Sequence, residues 1–343
     1  MNRGISISIP EPDEEDNKET AFTIGNSYDE VMADRYKNFF ENLGICYFKY
    51  KKYLKENHSI DGKDDFHGNR DFYHLVKNAA RNMIEKEKQN PLNDQTLLEC
   101  AINSIERNFS GIQFSEKDVK ASLEIFKGIF HEIYPACPVI KEYDVLKRIK
   151  ENINDLNSRY LLISSDSSMG IFLLSSILES ESKDYSFYIG SPFEDDLNSE
   201  EYALKVLNKI QAHMERGNIL ILKNLETVYP SMYDLFNQNF TVMGNKNYSR
   251  LAVGSNTNTF AYVDKNFRCI VNVETSKLDE EEAPFLNRFE KHILSFEYLM
   301  EEELIKEADK IKNTIDGFFK CNNQTFKAIN YNLNKLMINC SKE

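Results

Sequence analysis

Glycine and proline are scarce, at 13 and 8 of 343 residues, which argues against a largely disordered chain. Long apolar runs are missing too. Stretches such as 160–163 and 219–222 fall far short of the roughly 20 residues that a membrane span needs, so no span is expected. The opening MNRGISISIPEPDEED has no apolar core and turns acidic at once, so no secretory signal is expected. Positive charge is in deficit: 42 Lys and Arg stand against 55 Asp and Glu, a formal net charge of -13. Such a surface repels phosphate backbones, which argues against nucleic acid as a partner. The six cysteines, Cys46, Cys100, Cys137, Cys269, Cys321 and Cys340, contain no CxxC pair. With six histidines they build no zinc module, so no metal site and no RING-type domain is expected within the chain. Reduced, buried thiols in a cytoplasmic protein fit this spacing.

Hydrophobic residues supply 41% of the chain, enough to bury a core, and the length suits two or three structural units. Residues 1–27 are polar and acidic and read as a mobile tail. From 28 to 135 the pattern is helical: Tyr36, Phe39, Phe40 and Leu43 recur at helical spacing, as do Phe72, Leu75 and Val76. Asn93 and Asp94 mark a helix start, and 115–118 has the capping-box form. Pro135 and Pro138 punctuate the chain and set the boundary to a unit over 136–300. A helix over 143–156 leads into it. Short apolar runs at 160–163, 185–189, 219–222 and 267–273 then alternate with helical stretches at 171–180, 199–216 and 231–240. That alternation implies an α/β unit, a parallel sheet covered on both faces. Residues 301–343 read as helical again.

In an open parallel sheet, ligands sit at the carboxyl ends of the strands where strand order reverses. The first strand runs into Ser164, Ser165, Asp166, Ser167, Ser168, Met169 and Gly170, then a helix. A phosphate-binding loop would lie there. It needs glycines that free backbone N–H groups, a Lys for phosphate charge and a Ser or Thr for magnesium. This loop has one glycine and no Lys, and Asp166 adds charge of the wrong sign, at a cost of about 1 kcal/mol or more near a polyanion. A helix-capping serine loop is the plainer reading. The third strand ends in Lys223, Asn224, Leu225 and Glu226. An ATPase places a magnesium-binding Asp there, and an amide at Asn224 is a poor substitute. For Glu226, near the place of the acidic residue that orients water, a cap or surface residue is the plainer reading. Arg288, in PFLNRFEKH, could clamp a phosphoryl group from a neighbouring unit; the plainer alternative is a structural Arg paired with Glu290.

The combination of 189–193 (IGSPF), 218–240 (NILILKNLETVYPSMYDLFNQNF), 266–274 (NFRCIVNVE) and 284–292 (PFLNRFEKH) resembles the AAA+ fold, and more narrowly the mysterin-type giant AAA+ RING ubiquitin ligases. Upstream, 67–77 and 106–111 resemble the lid helices of a preceding module. The resemblance implies a helical lid-like domain over 28–135, then an AAA+-like large domain over 136–300 whose parallel sheet is flanked by helices. The start of a second lid would follow over 301–343. It implies that Arg70 is a lid sensor, Arg288 a finger and Asn272 the polar sensor at the end of the fourth strand. The degenerate positions would be Ser164, Asp166, Gly170, Asn224 and Glu226. By analogy with tandem AAA+ rings, Arg70 and Arg288 would both face the preceding module's site. The chain would then be a nucleotide-incompetent module with no cofactor, whose partners are neighbouring AAA+ modules or a mysterin-type protein.

Two other functions compete. One is a residual ATPase holding ATP and magnesium through a divergent loop. The other is a ubiquitin ligase, an activity that the resemblance places in regions beyond this module. The aromatic and basic strip 47–53 could grip single-stranded nucleic acid, but a helix with snorkelling lysines over aromatic core contacts accounts for it better. His67 and His74 lack the i, i+4 spacing of a helical metal pair.

Overall fold

A computed structural model describes residues 10–58, 65–88, 90–112, 122–135, 143–165, 169–253, 257–294, 306–307 and 309–314. The chain divides into two units, Met1–Ile293 and Leu294–Glu343. In the second, a helix is described at 306–307 and 309–314. The capping-box sequence at 115–118 and most of 301–343 lie outside the described residues.

The first unit opens with helices α1 (Glu14–Tyr28), α2 (Glu30–Arg35), α3 (Lys37–His58), α4 (Asn69–Glu87), α5 (Asp94–Asn108) and α6 (Ser122–Ile133). Where the sequence suggests a mobile tail over 1–27, residues from Glu14 onward form α1 instead. The acidic run is its N-terminus. Asp13 caps the backbone of Asp16, Asp16 caps Asp13 in return, and Glu14, Glu15 and Asp16 face the positive end of the helix dipole. α1 buries Asn17, Ala21 and Gly25. It lies so close to α3 that a Cβ on Gly44 would fall 2.5 Å from the Asn17 carbonyl oxygen. The aromatic strip on α3 is core: Tyr50 is fully buried and Tyr47 stacks on Phe72 at 4.5 Å between ring centroids. Its lysines reach outward, Lys51 to Asp65 at 3.0 Å and Lys55 to Glu11. As expected, Asn93 caps α5, accepting from the Thr96 N–H at 2.9 Å.

After α7 (Val145–Asn154) the α/β pattern begins with β1 (Leu161–Ser165), α8 (Met169–Ser180), β2 (Tyr185–Ile189), α9 (Glu194–Leu197), α10 (Glu200–Arg216) and β3 (Ile219–Lys223). A 3-10 turn, Tyr229–Met232, runs into α11 (Tyr233–Phe236). This helix is shorter than the stretch 231–240 predicts, because Gln238, just past the helical cap Asn237, leaves the helical conformation at φ 54°. Next come β4 (Thr241–Met243), β5 (Lys246–Val253), β6 (Thr257–Val263) and β7 (Arg268–Glu274). The unit closes with α12 (Ala283–Leu286) and β8 (Glu290–Ile293).

Five strands form a sheet in the order β2-β3-β7-β1-β8, every neighbour parallel. β1 and β3 are buried along their whole length, which is why they read as continuous apolar runs. Each buried Leu or Ile contributes about 1.5–3 kcal/mol, so these strands anchor the layer. β8 is missed by pattern reading because its residues, Glu290, Lys291, His292 and Ile293, are mostly charged or polar. β4, β5 and β6 form a separate antiparallel sheet that packs on α10 and α11.

Candidate functional site

The chain leaves β1 for the far edge at β2, returns through β3 and β7, and passes β1 to end at β8. Strand order therefore reverses beside β1, and the crevice at its carboxyl end is where a ligand would sit. The register sets Asn272 of β7 between Ile163 of β1 and Lys223 of β3. The Asn272 amide donates to the Ile163 carbonyl and to Ser165 Oγ, each at 3.1 Å, while its Oδ1 is buried without a hydrogen-bond partner. Ser164 Oγ meets Thr275 Oγ1 at 2.9 Å. A Cβ on Gly170 would lie 2.2 Å from Ser165 Oγ, so the Ser165 side chain already fills the space over the first turn of α8. Ser164, Gly170 and Asn272 thus gather at one crevice. Asp166 lies outside the described residues.

The exit of β3 is built differently. Lys223 is buried and pairs with Glu274 at 3.4 Å, across the strand end from Asn272. Asn224 follows in the left-handed region at φ 55°, which an asparagine tolerates. Its carbonyl packs on Gly190, where any Cβ would lie 1.7 Å from that oxygen. Gly190 in turn donates its N–H to the Lys223 carbonyl at 2.8 Å. Glu226 is exposed, and its charge acts on Glu281: burial first and Glu226 second push the Glu281 carboxyl up.

Arg70 and Arg288 belong to another place. Both line a cleft of about 780 Å³ between α4 and the segments around 157–159 and 236–239. Arg70 donates to Asn237 Oδ1 at 2.8 Å. Arg288 lies over the Tyr233 ring at 3.8 Å and donates to the Pro284 carbonyl. Glu290, its expected partner, instead forms a buried ion pair with Arg107, with Nη2 at 2.9 Å from Oε2. Burial, and then the charge of Arg70, pull the Arg288 pKa down.

Sequence reasoning missed the rest of this wall. His74, Lys77, Arg81 and Arg159 line the same cleft, and no Asp or Glu is among its lining residues. The signal was present: Arg70, His74, Lys77 and Arg81 recur at helical spacing along one face of α4. Behind the wall, buried Asp71 accepts from Lys291 at 2.8 Å and from Arg159 at 2.9 Å. Lys291 is pressed down to about 8 by burial, against the pull of Asp71. Among the described residues no group of three His, Cys, Asp or Glu could hold a metal ion, and no helix is long and apolar enough to cross a membrane.

A parallel sheet in this order, with a strand–loop–helix at its point of reversal and helices around it, defines an AAA+-like α/β module preceded by a helical region. Residues 150–300 match the family described as the RNF213 AAA domain. Over 302 residues the chain is 30% identical to the E3 ubiquitin-protein ligase rnf213-beta of Danio rerio, a match covering 85% of this chain and 5% of that protein. Against the E3 ubiquitin-protein ligase RNF213 of Homo sapiens it is 28% identical over 318 residues, 88% of this chain and 6% of that one. The Mus musculus RNF213 gives the same identity over the same length. The chain therefore spans about one-twentieth of these relatives. The likeness to the giant AAA+ ligases read from the sequence is borne out.

Proposed function

We propose that this chain is a nucleotide-incompetent AAA+-like structural and interaction module of an RNF213-type ubiquitin ligase. Arg70 and Arg288 would complete the ATP site of a neighbouring module. The observation that carries this reading is that these two arginines, from a lid-like helix and from the turn before β8, open onto one cleft. The β1 crevice supports it from the other side. Ser165 fills the space over Gly170, and the strand end that would hold magnesium carries a lysine neutralised by Glu274. A magnesium–nucleotide complex does not fit that donor set. Ubiquitin transfer, printed in the names of the relatives, would belong to other regions of such a protein. A cytoplasmic location and partnership with adjacent AAA+ modules are part of the same proposal.

The test is turnover. The purified chain with magnesium and ATP is expected to release no phosphate above buffer. When it is combined with the module that precedes it in the full-length protein, Arg288→Ala or Arg70→Ala should slow hydrolysis. Arginine fingers supplied in trans are worth roughly 10³–10⁵ in kcat, so a drop of at least about tenfold is expected. Turnover by the chain alone that disappears in Gly170→Val would sink the incompetent reading in favour of a residual ATPase. Unchanged hydrolysis in both arginine variants would sink the complementing role.

A further inference from the structure

The two edges of the five-stranded sheet are treated differently. The helical region packs against β8 through α5 and α7. At the other edge, among the described residues, β2 pairs with β3 alone, so its far side is open. Edge strands are ordinarily blunted by a proline, a charged side chain or a bulge. β2 reads Tyr185, Ser186, Phe187, Tyr188 and Ile189 in unbroken register with β3, and has none of these.

The backbone fixes what that edge offers. At the two ends of the β2–β3 pairing, the Ile219 N–H donates to the Asp184 carbonyl at 3.0 Å and the Gly190 N–H to the Lys223 carbonyl at 2.8 Å. In a parallel pair, every second residue turns its N–H and C=O to the partner strand. Residues 184, 186, 188 and 190 therefore face β3, and Tyr185, Phe187 and Ile189 turn their N–H and C=O groups outward. The side chains of these three residues share one face of the sheet, opposite Tyr188, whose ring holds Lys209 of α10 at 5.3 Å. Tyr185 is tied to α8, its hydroxyl donating to Glu179 Oε1 at 2.7 Å, and its ring meets Phe187 edge-on at 5.4 Å. The cover thins from there on: Phe187 is 37% exposed and Ile189 56%. Phe172, 67% exposed, stands on the same face of α8 as Glu179, two turns before it.

Charge decides what kind of strand fits. Past Ile189 the chain turns acidic, with Glu194, Asp195 and Asp196 in α9 and Glu200 and Glu201 at the start of α10. Lys205 pairs with Glu201 at 2.7 Å, whereas Glu194, Asp195, Asp196 and Glu200 have no ion pair among the described residues. An apolar strand with lysine or arginine beyond its end matches both features at once; an acidic one is repelled.

We propose that β2 is a strand-addition site for an extended, basic segment of a partner protein, apolar at alternate positions, which continues the sheet past Tyr185–Ile189 and lays its cationic end along α9. The ladder bonds supply affinity, Phe187 and Ile189 select apolar side chains, and the carboxylates select the charge. The inference goes beyond the reading above: it concerns the sheet edge far from β8 and needs no nucleotide, and neither Arg70 nor Arg288 takes part.

The experiment is fluorescence anisotropy of a short labelled peptide, alternating valine and threonine with lysines at both ends, titrated with the full chain at moderate salt. Saturable binding at one site per chain is expected, weakened at least about tenfold by Ile189→Lys, which puts a blocking charge on the edge. Val242→Lys, at a more exposed apolar position on β4, should leave it unchanged. N-methylation of every second peptide residue, made in both registers, should abolish binding in one of them, because it removes the ladder donors. Glutamate ends in place of lysine should weaken binding. Unfolding midpoints of the two variants separate loss of the site from loss of the fold. Absence of binding, undiminished binding of both methylated peptides, equal binding of the glutamate peptide, or equal weakening by Val242→Lys would each overturn the proposal. Self-association of the chain that Ile189→Lys dissolves would do the same, by giving the edge to a second copy.

Discussion

Asp71 is the residue on which the N-terminal helices and the sheet meet. It is fully buried and takes one bond from Lys291 of β8 and one from Arg159 ahead of β1, while its second oxygen caps the Gly68 N–H at 3.0 Å. Burial alone would raise such a carboxyl, yet Lys291 and Arg159 hold it below the usual carboxylate range. Removing one partner of a buried ion pair leaves the other charge uncompensated, a loss of about 3–5 kcal/mol. Asp71→Ala strands two cations, so its unfolding free energy from denaturant titration should fall by the upper part of that range; a change under about 1 kcal/mol would show the triad to be dispensable. Little of this was legible in the sequence. Asp71 directly follows Arg70, and its partners come from distant positions that no local pattern links. The sequence singles out Arg288, but Glu290, two residues on, could not be seen to belong to Arg107.

Elements were readable wherever apolar residues marked them, in continuous runs or at helical spacing. α10 and the strands β1, β2, β3 and β7 fall within a few residues of the periodic and continuous apolar runs that predict them. The hairpin of β4 and β5 was missed because β4 is only three residues long and β5 opens on mostly polar residues, although its turn was written plainly. Gly244 and Asn245 lie at φ 56° and 63°, the two-residue turn that joins antiparallel strands with the right twist. α1 was missed for the opposite reason. Its acidic start looks like a solvated tail, and its buried face is made of small and polar residues rather than large apolar ones. That face depends on close approach, so bulk is what it tolerates least. Gly44→Ala would push α3 off the Asn17 backbone. Overpacking of this kind costs about 1–3 kcal/mol, and the denaturant midpoint should drop accordingly. An unchanged midpoint would mean that α1 is free to shift.

At the scale of the molecule, the sequence yielded the fold class and the resemblance to the family, because the apolar strands and the block 218–240 carry both. It did not give up how the helical region and the sheet are joined. That joint is polar: Arg107 to Glu290, Asp71 to Arg159 and Lys291, and Ser110 Oγ to the Lys291 carbonyl at 2.8 Å. Residues on both sides belong to one compact unit, and the two halves should unfold together. The chain has no tryptophan, so single probes can be placed at will. Phe126→Trp in α6 and Phe267→Trp beside β7 should report one midpoint; two separate midpoints would mean that the joint does not couple them.

The same joint has a mechanical meaning. Arg70 and Arg288 are carried by opposite sides of it, yet Asp71 and Lys291, close behind them in the chain, are bound to each other. A push delivered at one arginine therefore reaches the sheet through a stiff strut. Within Met1–Ile293 the two sides of the joint therefore move as a single lever.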